Sequence, residues 1–179
     1  MPGFTRFHGR APRCPGYDYR SAGWYFVTVV TLDRRWIFGS VTSGQMRLNV
    51  RGRLCAEEWR DAVGLRTYAV LGQFVVMPDH LHALVGFRGP GALSWEGRYP
   101  SSGLVRPPRS LGALIACFKA SVTRRLNQLE SRSGRRIWQR GFHDRIIRSD
   151  QDFAAADRYI RDNPTRLIEM SVRAHGRGR

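Results

Sequence analysis

The segment FVVMPDHLHALVGF, residues 74–87, constrains the fold of this chain more than any other. Two runs rich in β-branched and aromatic residues, 68–77 and 80–87, are separated only by Pro78-Asp79. Proline presets φ at the first central position of a tight turn and aspartate suits the second, so the runs read as antiparallel neighbours. A hairpin has little stability by itself, so other segments must cover it. Residues 24–31 (WYFVTVVT) supply a third strand, broken at Asp33 and the two arginines after it. Behind Asn49, a plausible N-cap, Val50, Leu54, Cys55 and Trp59 recur at helical spacing as far as about residue 62. Leu111, Leu114, Ile115, Phe118, Val122, Leu126 and Leu129 mark one side of a second amphipathic helix. A last strand is best placed at 142–148. Ser149 and Asp152 then resemble a capping box opening a final helix, which Pro164 is expected to end near Asp162.

The order β-α-β-β-α-β plus a helix predicts an α+β fold. It is the ferredoxin-like, RRM-like arrangement, an antiparallel sheet with two helices on one face. One domain, 23–168, suffices, between a basic irregular arm (1–22) and a basic tail (169–179). Residues 87–110 hold too many Gly and Pro for a regular element and read as a long loop.

Composition narrows the function. The 179 residues carry 30 Lys+Arg against 14 Asp+Glu, a net charge of +16, while 42% are hydrophobic, too many for a disordered basic tail. No apolar run is long enough for a membrane span, and the N-terminus lacks the apolar core of a secretory signal, so a cytoplasmic setting without membrane attachment is expected. Cys14, Cys55 and Cys117 are odd in number and form no CxxC pair, which argues against a disulfide framework or structural zinc. The charge points to nucleic acid, whose phosphates reward neutralisation by releasing counterions. Lys119, Arg124, Arg125, Arg140 and Arg145 are candidate DNA contacts. Trp24, Tyr25, Trp36 and Trp138 are candidate base-stacking groups, at least half of them expected in the core.

Two constellations carry chemistry. On a strand His80 and His82 point to the same side, where neutral imidazoles could converge on one divalent cation. Alone, HxH more often marks histidines hydrogen-bonded in a half-buried sheet, and the HxE pattern of zinc deaminases is absent. Tyr159 and Asn163, four apart, share a helix face, with the small Ala155 and Ala156 leaving room around the phenol. A phenol can attack phosphorus, although a tyrosine near a helix end more often packs.

Taken together, VVMPDHLHALV, SLGALIACFKASVTRRLN and IWQRGFHDRIIRSDQDFAAADRYIRDNPTRL resemble the single-tyrosine (Y1) HUH transposases, in particular the tyrosine transposases associated with repetitive extragenic palindromes (REP). The resemblance spans about residues 24–167. It implies that His80 and His82 bind Mg²⁺ or Mn²⁺, that Tyr159 is the nucleophile, and that Asn163 is a polar metal ligand where insertion-sequence members usually carry Gln. It further implies a 5′-phosphotyrosine intermediate on single-stranded DNA bearing a hairpin or palindrome. A transposase or a domesticated derivative, monomer or homodimer, fits equally. Two rivals remain: a non-catalytic RRM-like nucleic-acid-binding protein, though no RNP-type aromatic signature is recognisable, and a rolling-circle relative of the same enzymes.

Overall fold

A computed structural model describes residues 18–88 and 109–176. The arm up to residue 17, most of the Gly/Pro-rich loop (89–108) and the last three residues lie outside the described residues, as does Cys14. In chain order the elements are β1 (Gly23–Val30), a 3-10 turn (Leu32–Arg34), β2 (Gly39–Thr42), β3 (Gln45–Leu48), α1 (Val50–Gly64), β4 (Ala69–Val76), β5 (His80–Phe87), α2 (Leu111–Leu129), β6 (His143–Ile147) and α3 (Asp150–Gly176).

Four strands form one antiparallel sheet in the order β4-β5-β1-β6. With β2-β3 set aside, this is the ferredoxin-like order expected from the sequence. Side chains alternate faces along β1 and β5. Tyr25, Val27 and Val29 of β1 and Leu81, Ala83 and Val85 of β5 all face α1 and α2 and are fully buried. Trp59 of α1 meets Phe118 of α2 edge to face at 5.1 Å, at the centre of that core. Phe26 of β1 and Leu84 of β5 face the other way and pack under Ala156 and Ile160 of α3.

Local chemistry sets the element ends. Asn49 Oδ1 accepts from the Gly52 N–H at 2.9 Å while its Nδ2 donates to the Ile37 carbonyl, so one side chain caps α1 and fixes the chain entering it. Ser110 caps α2 and Ser149 caps α3 through bonds from the Ala113 and Asp152 N–H groups.

Two features differ from the sequence reading. First, a short hairpin, β2-β3, is inserted before α1. Its two-residue turn has Ser43 at φ 50° and Gly44 at φ 74°, the left-handed pair of a type I′ turn, which matches the twist of the strands it joins. Second, α3 does not stop near Asp162: it runs through Pro164 to Gly176. Proline removes one backbone donor from a helix without forbidding it. Pro164 is buried, and Thr165 Oγ1 donates to the Gly44 carbonyl at 3.4 Å, so the hairpin turn braces the helix just past the proline.

Candidate active site

The Pro78-Asp79 turn also positions the first histidine. The Met77 N–H bonds the His80 carbonyl at 2.7 Å, closing the Pro78-Asp79 turn. The Pro78 carbonyl accepts from the Ile37 and Phe38 N–H groups, and the Asp79 carbonyl from the backbone and hydroxyl of Thr31. His80 therefore starts β5 from a turn clamped by two other segments. His82 follows on the same face, and the two rings meet edge to face with centroids 4.4 Å apart.

Each ring is oriented through Nδ1. His80 Nδ1 lies 2.5 Å from Asp79 Oδ1, and Asp79 Oδ2 accepts from Arg34 Nη1 at 3.2 Å. Burial opposes ionisation of Asp79, but the hydrogen bond from His80, with the nearby His80 and Arg34 charges, outweighs it and holds the carboxyl below its usual range. An ionised carboxylate only accepts, so the His80 proton facing it sits on Nδ1. His82 Nδ1 is 2.8 Å from the hydroxyl of Thr28, its register partner on β1. Burial, then His80, then Arg34 depress the His82 pKa well below the normal imidazole value, so this ring is neutral near pH 7.

Helix α3 brings the phenol to this pair. Ala156, Ile160, Asn163 and Pro164 form its buried stripe, and the small Ala156 lets the helix lie close. Ahead of them Phe153 meets Trp24 edge to face at 4.9 Å. Trp24 lies flat on Gly86, where an added Cβ would come within 3.2 Å of the indole. The Tyr159 ring is 5.3 Å from the His82 ring and 5.8 Å from Phe26, with the Arg166 guanidinium 5.3 Å from its face. One chain thus supplies both the imidazoles and the phenol. Asn163, buried one turn further, lies on the sheet-facing side of the same helix.

The charged candidates are scattered. Lys119 Nζ donates to the Gln139 and Gly141 carbonyls, tying α2 to the segment before β6. Arg125 bridges to Glu58 of α1 at 2.6 Å, and Arg145 to Asp152 at the start of α3 at 2.7 Å. Arg124 and Arg140 are exposed and line, with Lys119, Arg135 and Arg136, a surface groove of about 500 Å³ between α2 and residues 134–140. None of the imidazole or tyrosine residues lines that groove. Of the aromatic candidates, Tyr25 and Trp138 are core, Trp24 is half-buried, and Trp36 is 61% exposed.

The sequence reading missed Thr28, Asp79 and Arg34, which orient the rings. It also missed His143, opposite Thr28 on β6, whose buried Nδ1 has no hydrogen-bond partner among the described residues. Asp79 was read only as a turn residue. A carboxylate directly before a same-face histidine pair was the available signal.

Among the described residues no group of three or more His, Cys, Asp or Glu side chains is arranged to hold a metal ion. A cation on the imidazole pair would therefore draw its third protein donor from another group. Two Nε2 atoms with an amide oxygen make a mixed nitrogen and oxygen set, which suits Mn²⁺ and is compatible with Mg²⁺ that keeps several waters.

The fold and the site together define a ferredoxin-like α+β domain that sets a paired-histidine strand against a tyrosine-bearing helix. This is the fold of the REP-associated tyrosine transposases: the structure of one bound to a REP hairpin matches over 84% of this chain and 72% of that chain, with TM-score 0.58 and 17% identity. A crystal structure of a candidate transposase from Deinococcus radiodurans matches over 87% of this chain and 95% of that chain, with TM-score 0.46 and 17% identity. An uncharacterised protein of Haemophilus influenzae is 28% identical over 164 residues, 88% of each chain. No protein-family model matches the chain.

Proposed function

We propose that residues 23–168 form a metal-dependent single-stranded DNA endonuclease and strand transferase of the HUH type, acting beside hairpin DNA as a transposase or a domesticated transposase. The observation that carries this reading is the 5.3 Å approach of the Tyr159 and His82 rings within one chain. The fold shared with a transposase that binds a REP hairpin supports it, as does the net charge of +16.

In this reading His80 and His82 would hold Mg²⁺ or Mn²⁺, with Asp79 and Thr28 orienting the two rings through Nδ1, and Asn163 would complete the protein donors. When bound, the cation neutralises the scissile phosphate and stabilises its developing charge. Tyr159 Oη attacks phosphorus in line. The new bond to Tyr159 replaces the bond from phosphorus to the 3′-oxygen, and the phenolic proton passes by way of solvent to that oxygen. The products are a 5′-phosphotyrosine and a free 3′-hydroxyl, and reversal rejoins a strand without ATP. A phenol fixed on a helix needs a backbone free to bend into the site, which favours single-stranded over duplex substrate.

Incubation with a hairpin-bearing oligonucleotide and Mn²⁺, followed by a denaturing gel, tests this. Wild type should form a covalent adduct that Tyr159→Phe abolishes. No wild-type adduct, or one undiminished in the variant, overturns the reading. Replacing both His80 and His82 by Ala should abolish cleavage yet leave most salt-dependent binding, which rests on arginines elsewhere.

A further inference from the structure

The tight turn after β1 does work that the cleavage chemistry leaves unexplained. Asp33 and Arg34 are consecutive non-glycine residues in the left-handed region, at φ 56° and 52°, a conformation that crowds Cβ and persists only where the surroundings impose it. Its product is an exposed indole. Trp36 is 61% exposed, whereas Trp59 and Trp138 are buried.

This indole is not on a loose loop. On one side Thr31 Oγ1 donates to the Arg35 carbonyl at 3.0 Å. On the other, the Ile37 and Phe38 N–H groups bond the Pro78 carbonyl, and the Phe38 side chain is fully buried. Pro78 belongs to the turn that presents Asp79 and His80, and Arg34 itself bonds Asp79. Trp36 is therefore braced against the same backbone that sets the first imidazole. The segment before β6 runs alongside: the Leu32 N–H bonds the Ile137 carbonyl at 2.7 Å, and the Gln139 N–H the Val30 carbonyl at 2.9 Å. Arg136 and Arg140 flank those bonds on that segment, both exposed and without an ion pair or hydrogen bond among the described residues. Arg34 and Arg35, by contrast, are committed to Asp79 and Asp33.

We infer that Trp36 is the platform on which one unpaired base stacks as the DNA strand leaves the imidazole–tyrosine site, with Arg136 and Arg140 taking the adjoining phosphates. The inference rests on the single-strand nuclease reading of that site and adds a selection for unpaired substrate. Every base has a π-face, so such a platform accepts any sequence but rejects a paired base, whose faces are already stacked. A side chain carried on a braced backbone costs less to order on binding than one on a loose loop.

The test is fluorescence anisotropy on a labelled hairpin oligonucleotide with unpaired dT extensions, with chelator present so that no strand is cut. Trp36→Ala should weaken binding about five- to 150-fold, the range for loss of one stacked base, while Trp36→Phe keeps most of the affinity. Abasic replacements, one position at a time, locate the contact. At one position the abasic substrate should weaken wild type as much as Trp36→Ala does, and the two losses should not add. Unchanged affinity in Trp36→Ala, or losses that add at every position, overturns the assignment. Arg136→Ala and Arg140→Ala should weaken all sequences alike and each lower the salt slope by about one; an unchanged slope removes the phosphate contacts. Failure of wild type to form an adduct with Mn²⁺, alongside non-additive loss at Trp36, would overturn the nuclease reading alone.

Discussion

The two faces of the sheet are built from the same strands and do opposite work. Odd residues of β1 (Tyr25, Val27, Val29) enter a closed, largely apolar core beneath α1 and α2. Even residues (Trp24, Phe26, Thr28) meet α3 across a far smaller apolar patch, and beyond Phe26 that face turns polar, with Thr28 against His82. A strand's period of two lets one sequence write both surfaces at once, so the core can be saturated while the other face carries poised polar groups. The lesson is one of division: rigidity comes from the closed face, and the open face holds its side chains by hydrogen bonds to Thr28 and Asp79.

Substitutions on the two faces should separate stability from chemistry. The largest effect belongs to the core: Phe118→Ala removes a fully buried ring packed on Trp59 and should cost about 3–5 kcal/mol of unfolding free energy, read from urea denaturation. A loss below about 1 kcal/mol would mean that the closed face is not the source of rigidity. On the open face, Asp79→Asn leaves an amide beside His80 in place of a carboxylate that only accepts. It should weaken Mn²⁺ binding about 10- to 100-fold by calorimetry, with the far-ultraviolet circular dichroism unchanged. Equal Mn²⁺ affinity in wild type and variant would detach Asp79 from the site.

A pH experiment sharpens the contrast on the closed side. Burial opposes ionisation of Glu58, but hydrogen bonds from Ser121 and Arg125, with the Arg125 and Arg124 charges, outweigh it and hold the carboxyl below its ordinary 4.5. A carboxylate depressed in the folded state binds fewer protons there than in the unfolded chain. Its stabilisation is full above about pH 4.5 and is lost as pH falls through the folded value. Glu58→Gln should therefore lower the urea midpoint at pH 7 and flatten its fall on the acid side. An acid limb as steep as wild type would show that this pair between α1 and α2 contributes nothing.

Local signals in the sequence carried most of this architecture. Asn49, Ser149 and the Pro78-Asp79 turn act through bonds to residues a few positions away, so their roles were legible, and alternation in HLHALVGF placed both imidazoles on one face. Tyr159 stood out in the sequence as a possible nucleophile but was tied to the imidazole pair only through the resemblance, because its approach to His82 depends on how α3 crosses the sheet. Asp79 and Thr28 were hidden for a similar reason: a turn aspartate and a strand threonine are ordinary until a ring is seen against each. The two departures, the β2-β3 hairpin and the length of α3, have one cause. Four-residue strands carry too few apolar positions to show a period, and a proline reads as a stop when the turn bracing the helix beyond it is 121 residues away.

That joint cause predicts the smallest effect. Gly44 sits at φ 74°, and a Cβ there would come within 3.2 Å of Thr165 Oγ1. Gly44→Ala should cost about 1 kcal/mol through left-handed strain, with little change at the core helices. The loss should not stay in the hairpin. Because the Gly44 carbonyl receives the Thr165 hydroxyl just past Pro164, moving the turn removes a brace from the part of α3 where the proline has already removed a backbone donor. Hydrogen exchange should therefore quicken in α3 after residue 164 while the turn carrying Tyr159 keeps its protection, since that turn is held by Phe26 and Ile160 packing instead. Uniform protection along α3 in the variant would mean that the helix passes its proline by its own propensity. Faster exchange at Tyr159 as well would mean that the hairpin supports the Tyr159 turn too, and the division between a braced end and a packed centre of α3 would have to be given up.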